Sequence, residues 1–198
     1  MSERAAIDRF GAIRSSFPGA SNGPYMDVSA RSLLYGGARA ALDQYLDANA
    51  AGRLNKTEMF AAIERTRSLY AQLIGADPDE VAYTRNVTDG IATFAASLPW
   101  ERGDNVVVCE ALEHPANVLP WYGLRSRFGV NVKTVAPSLG HIPLDGVLAA
   151  VDGRTRVVSV SAVTFAPGLC AMLMAADAVS AGCAPEGVPS EVAVVNSV

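Results

Sequence analysis

Two histidines occur in the chain, and one of them, His114, stands in the stretch "CEALEHPANVLPWYGL" directly after the apolar run "NVVVC". An imidazole placed where a buried strand ends and a helix begins has two uses. It can cap the helix opened by Pro115, a residue suited to a first helical position. Alternatively, its flat ring can lie against an aromatic ligand while a ring nitrogen supplies a hydrogen bond or a proton near neutral pH. A second stretch, "YTRNVTDGIATFAASL", puts Thr88 at an expected N-cap with Asp89 in the first turn and Ile91, Phe94, Ala95 and Leu98 continuing the helix. This reads as a plain strand-turn-helix connection or as an anion site, in which the N–H groups of Val87 and Thr88, the Thr88 hydroxyl and the helix dipole hold a phosphate. A third, "VSVSAVTFAPG", ends a strand in Ser161, Thr164 and Pro167-Gly168 and carries small polar groups toward one sheet edge.

The elements around these stretches alternate. "EVAYT" precedes the helical "TDGIATFAASL", "NVVVCE" precedes "PANVLPWYGLRSRFG", "NVKTVA" precedes "PLDGVLAAV", and "TRVVSVSAV" follows. Short β-branched runs about one helix apart predict a parallel sheet covered by helices, with ligands beyond the carboxyl ends of the strands. Upstream, "FPGASNGPYMD" reads as an arm or turn. Two helices are expected after it: one near 33–49 with Leu34, Ala38, Ala41, Leu42 and Tyr45 on one face, and one near 58–74 with Phe60, Ile63, Leu69, Tyr70 and Leu73, ended by Gly75.

Composition narrows the partners. With 198 residues, half of them hydrophobic, and a net charge of -4, the chain has material for a substantial core and no basic footprint for nucleic acid. Charges at Glu3, Arg4, Asp8 and Arg9 interrupt any signal peptide, and no later window spans a bilayer, so a cytoplasmic protein with a small-molecule partner is expected. Cys109, Cys170 and Cys183 lack metal-ligand spacing and read as reduced thiols; no metal site is indicated. Of 16 basic residues only Lys56 and Lys133 are lysines, the two candidates for any lysine chemistry.

In order and separation, "YMDVSARS", "VAYTRNVTDGIATFAASL", "RGDNVVVCEALEHPANVLPW" and "DGRTRVVSVSAVTFAPG", from Tyr25 to Gly168, resemble the large domain of class V aminotransferases. This pyridoxal-phosphate (PLP) family includes cysteine desulfurases, selenocysteine lyases and isopenicillin epimerase-like proteins. The resemblance implies the α/β fold of the type I PLP-dependent transferase large domain, a mainly parallel sheet with helices on both faces. Its cofactor would be pyridoxal 5'-phosphate, its substrate a small-molecule amino acid and its first partner a second copy in a homodimer. Val87 and Thr88 would bind the cofactor phosphate and His114 would stack on the pyridine ring, with Thr164 and Asn196 completing the cofactor set. Asn196, in "VVNSV", stands where the family has the aspartate that salt-bridges the pyridine nitrogen, and Phe165 stands where desulfurases have an asparagine. Neither Lys56 nor Lys133 matches the Schiff-base lysine, which belongs to a later part of the family's chain, so cofactor binding is expected to be non-covalent at best. The chain is therefore expected to be a truncated relative of an aminotransferase, lyase or desulfurase, its sheet incomplete at the C-terminus and its enzymatic status open. The alternatives are a non-enzymatic interaction or dimerisation module and a non-functional fragment. Expected boundaries are an N-terminal helix and arm over 1–32, the partial large domain over 33–168 and a divergent segment over 169–198.

Overall fold

The computed structural model describes residues 10–28, 31–161, 163–165 and 193–197. The chain divides into two units, one up to Ala82 and one from Tyr83. Of the divergent segment over 169–198, residues 169–192, with Cys170 and Cys183, and Val198 lie outside the described residues, as do Pro167 and Gly168.

The first unit carries the two expected helices, α1 (Gly36–Ala50) and α2 (Lys56–Ile74). Asn55 starts α2 because its side-chain oxygen accepts from Thr57 N at 3.0 Å and Glu58 N at 3.4 Å, satisfying N–H groups that have no intrahelical acceptor. Gly75 ends it in the left-handed conformation, φ 71°, and Ala76 N closes onto Ala71 O. The helical periodicity read from the sequence is present, yet its apolar members stand open: Leu34, Leu42, Phe60, Leu69 and Leu73 are all more than half exposed.

The second unit is the sheet and its cover. Helix α3 (Val87–Ser97) leads into β1 (Asn105–Val108), α4 (Leu119–Phe128), β2 (Asn131–Thr134), α5 (Leu144–Ala150), β3 (Thr155–Ser161) and the strand β4 (Ala193–Ser197). The strands run in the order β2-β1-β3-β4 and every pairing is parallel, with Val107 opposite Lys133 and Val158, and Val160 opposite Asn196. The strand expected at "EVAYT" does not form: residues 81–84 are not among the strands of the described sheet. β-branched and aromatic content describes a fit to a pleated neighbour rather than a backbone preference of its own.

Both faces of the sheet are covered, and the alternation of strand side chains decides what each meets. Val106, Val108 and Val157 pack with Ile91, Ala95, Trp121 and Leu124 of α3 and α4. Val107, Cys109, Val158 and Val160 point the other way, onto Val147 of α5 with Leu112, Val135, Ile142 and Val151. The expected fold, a parallel sheet with helices on both sides, is what the chain adopts.

The amino edge of the sheet is closed by polar side chains. Asn105 Nδ2 donates to Asp152 Oδ1 at 2.8 Å, Thr155 Oγ1 donates to Asn105 Oδ1 at 2.7 Å, and Lys133 Nζ binds Asp152 Oδ2 at 2.6 Å. Among the described residues no helix is long and apolar enough to cross a membrane.

Candidate functional site

Strand order locates the crevice. The chain leaves β1 toward β2 on one side, and β4 lies on the other side of β3, so the exits of β1 and β3 diverge at a topological switch point. Both exits carry residues singled out by the sequence. After β1 come Cys109, a 3-10 turn at Glu110–Leu112, the buried Glu113, and His114 at the head of a second 3-10 turn, Pro115–Asn117. β3 ends at Ser161; Val163, Thr164 and Phe165 lie beyond it, and Phe165 N donates to Leu112 O at 3.0 Å, tying the two exits together.

His114 is a cap. Its Nδ1 accepts from Ala116 N at 3.1 Å and its carbonyl accepts from Asn117 N at 2.8 Å. The helix that follows is delayed: a 3-10 turn intervenes and α4 begins at Leu119, not at Pro115 as read from the sequence. With Nδ1 an acceptor, a neutral ring carries its proton on Nε2. Capping uses an in-plane lone pair and leaves the π faces for other contacts, so the two readings of this histidine are compatible. One aromatic neighbour is already present: the Phe165 ring meets the imidazole at 5.1 Å between centroids and 75° between planes. The His114 side chain is otherwise exposed.

At α3 the expected cap is corrected. Asn86, not Thr88, is the N-cap, its side-chain oxygen accepting from Asp89 N at 2.8 Å. The helix starts two residues earlier than read because an amide side chain at Asn86 reaches the third helical N–H as well as a hydroxyl would. Val87 and Thr88 thereby become the first two helical residues, whose N–H groups have no intrahelical acceptor, and both are exposed. Asp89, in the same turn, is held by Arg85 through two bonds of 3.1 Å. Hydrogen bonding to Arg85 keeps the Asp89 carboxyl below its ordinary range and raises the guanidinium. α3 packs against the 3-10 turn that His114 heads, so the helix and the imidazole belong to neighbouring elements.

The remaining expected site residues fall as follows. Thr164 is buried, at 2% exposure, between exposed Val163 and Phe165. Asn196 lies in β4 in register with Val160, one residue before the step opposite Ser161. Lys133 is committed to Asp152 and Ala150 O at the opposite edge, and Lys56 opens α2 in the other unit. Among the described residues no cluster of His, Cys, Asp or Glu is arranged to hold a metal ion.

A buried polar chain beneath His114 was not read from the sequence. Trp121 Nε1 donates to Ser159 Oγ at 3.0 Å, Ser159 Oγ donates to Asn117 Oδ1 at 2.6 Å, and Asn117 Nδ2 donates to Glu113 Oε2 at 2.9 Å. Glu113 Oε1 accepts from Ser161 N at 2.6 Å and Oε2 accepts from Ser161 Oγ. Burial and the nearby Glu113 carboxylate push the Cys109 thiol up, leaving it a poor nucleophile. The available clue was polar spacing inside apolar runs: Ser159 and Ser161 alternate within "VVSVS", and Glu113 and Asn117 bracket "HPA".

Known proteins share this sequence pattern and fold. The family described as Aminotransferase class-V matches residues 25–177. An uncharacterized protein of Schizosaccharomyces pombe, C11D3.10, is 31% identical over 82% of this chain and 38% of its own length. A probable cysteine desulfurase of Methanothermobacter thermautotrophicus is 37% identical over 54% of this chain and 26% of its own. Among solved structures, a C-DES variant with glycine covalently linked to its PLP cofactor superposes with a TM-score of 0.80 at 22% identity, over 93% of this chain and 49% of that one, a likeness of fold. The chain thus spans half or less of the length of these relatives. Three quarters of its sequence falling within that one family description, on a parallel sheet whose β1 and β3 exits meet at His114, the chain belongs to the class-V aminotransferase family.

Proposed function

We propose that the carboxyl edge of this sheet is the phosphate-and-ring half of a pyridoxal phosphate site, in a protein whose family chemistry acts on amino acids by transamination, elimination or desulfuration. The observation that supports the reading is that α3, whose first N–H groups are exposed, packs against the 3-10 turn headed by His114 at the β1 exit. The residues present fit the group. Val87 N, Thr88 N and the Thr88 hydroxyl offer donors at the positive end of a helix, suited to a phosphate dianion. The exposed imidazole offers a face for a pyridine ring, oriented by its own cap. When bound, such a cofactor supplies an electron sink for carbanion chemistry.

This chain's residues shape that supply in two respects. At the position expected to face the ring nitrogen, Asn196 offers a neutral amide in place of a carboxylate, which does not hold a proton on that nitrogen. Lys133, bound to Asp152, does not attach a cofactor, and binding within these residues is non-covalent and weak. An absorbance titration with PLP tests the reading. A saturable spectral change that His114→Ala weakens is expected; no saturable change, or one indifferent to that substitution, contradicts it.

The open apolar stripes of α1 and α2, with Leu42, Phe60, Leu69 and Leu73, support association with a second copy of the chain, which light scattering would read directly. The buried reduced thiol of Cys109 is in keeping with a cytoplasmic setting.

A further inference from the structure

Glu113 is a carboxylate at 5% exposure, and the described contacts satisfy it with neutral donors alone. A buried carboxylate is costly unless its lone pairs are used, and here they join three pieces of chain. Oε1 takes Ser161 N at the end of β3, while Oε2 takes Ser161 Oγ and the amide of Asn117. His114 sits between the two partners, directly after Glu113 and three residues before Asn117. The side chains on either side of the histidine are therefore locked to one another and to the strand opposite.

We propose that Glu113 is a positioning residue for His114: it clamps the exit of β1 to the end of β3 and so fixes the imidazole at the sheet edge. Only a carboxylate, acceptor at both oxygens, takes a backbone N–H, a hydroxyl and an amide at once. An amide in its place keeps one acceptor and turns the other end into a donor facing the Asn117 amide; an alanine keeps neither. Further support of the turn, from Ser159 and Trp121, enters from the sheet side at Asn117 Oδ1, whereas Glu113 binds Ser161 directly. The two arms of the network are thus separable. Ring position is argued from contacts alone; its consequence for a bound pyridine rests on the function proposed above.

Side-chain nitrogen NMR of the histidine-labelled, ligand-free chain tests the clamp. The chain's other histidine, His141, sits in the Ser138–His141 turn and serves as an internal reference. In the wild type His114 should show one tautomer with the proton on Nε2. Glu113→Ala should give His114 mixed tautomers with exchange broadening and leave His141 unchanged, and Glu113→Gln should fall between. Ser159→Ala, which loosens the fold from the other arm, should keep the wild-type His114 pattern. In parallel, the PLP dissociation constant should rise about tenfold in Glu113→Ala and less in Ser159→Ala. A wild-type His114 pattern in both Glu113 variants, or equal disturbance by Ser159→Ala, overturns the proposal. Absence of PLP binding by the wild type would refute the proposed function, while the ligand-free spectra would still decide the clamp.

Discussion

Ser159→Ala removes a single hydroxyl from β3, and the structure says what that costs. Ser159 is fully buried, its oxygen accepting from Trp121 Nε1 at 3.0 Å and donating to Asn117 Oδ1 at 2.6 Å. Alanine strips the bond from Trp121 Nε1 and from Asn117 Oδ1, on residues at 0% and 1% exposure, where water has no access. A buried polar group stripped of its partner costs about 1–3 kcal/mol, so the two together cost about 2–6 kcal/mol. At a urea dependence of about 2 kcal/mol per M, the midpoint falls by about 1–3 M. Both tryptophans, Trp100 and Trp121, belong to the second unit, so their fluorescence follows the unfolding of the unit that is perturbed. Trp121→Phe supplies the cross-check, because it deletes the stranded N–H. The double substitution should cost about 1–2 kcal/mol less than the sum of the two singles. A Ser159→Ala loss below about 0.5 kcal/mol, or additivity of the pair within about 0.5 kcal/mol, would refute the network argument.

Further outcomes follow from the two sheet edges. Asp152 is held low first by its bond to Lys133 and then by Asn105. A carboxyl with a lowered folded-state pKa contributes stability above its unfolded value near 4 and loses it as pH falls toward the folded value. Asp152→Asn should therefore be less stable than wild type at pH 7 by about 0.5–1 kcal/mol, a figure kept small because the pair is half exposed. That gap should narrow as pH drops below about 4; a gap constant from pH 7 to pH 3 in urea titrations would count against the linkage. Asn86→Ala should cost about 1 kcal/mol through loss of the α3 cap, and Asn86→Gly only a few tenths. Equal losses in the two variants would show that the side-chain cap is idle.

The sheet was legible because its strands carry the pattern without competition: "NVVV" and "TRVVSVS" are apolar enough to be buried on both faces, and the helices between them bury Trp121, Leu124 and Val147. Reading failed where the decisive contact is not local. "VAYT" has strand composition and is not one of the strands of the described sheet. Thr88 and Asn86 are both acceptable caps by residue type, and only the backbone at Asn86, extended at φ -166° and ψ 172°, selects it. His114 and the N-terminal turn of α3 could be named from short motifs, since a helix start and a strand exit are local features. Glu113, Asn117 and Ser159 could not, because their partners lie 42 and 48 residues apart along the chain and meet only when β3 inserts beside β1.

The central claim is that the start of α3 and His114 together form one cofactor-binding edge. The most direct measurement is a backbone amide NMR titration with PLP. The account predicts that the Val87 and Thr88 amides shift together with the His114 ring resonances, along one saturation curve, and that inorganic phosphate moves the two amides without the ring. Shifts that leave Val87 and Thr88 in place, or that map to a surface away from the β1 and β3 exits, would contradict it.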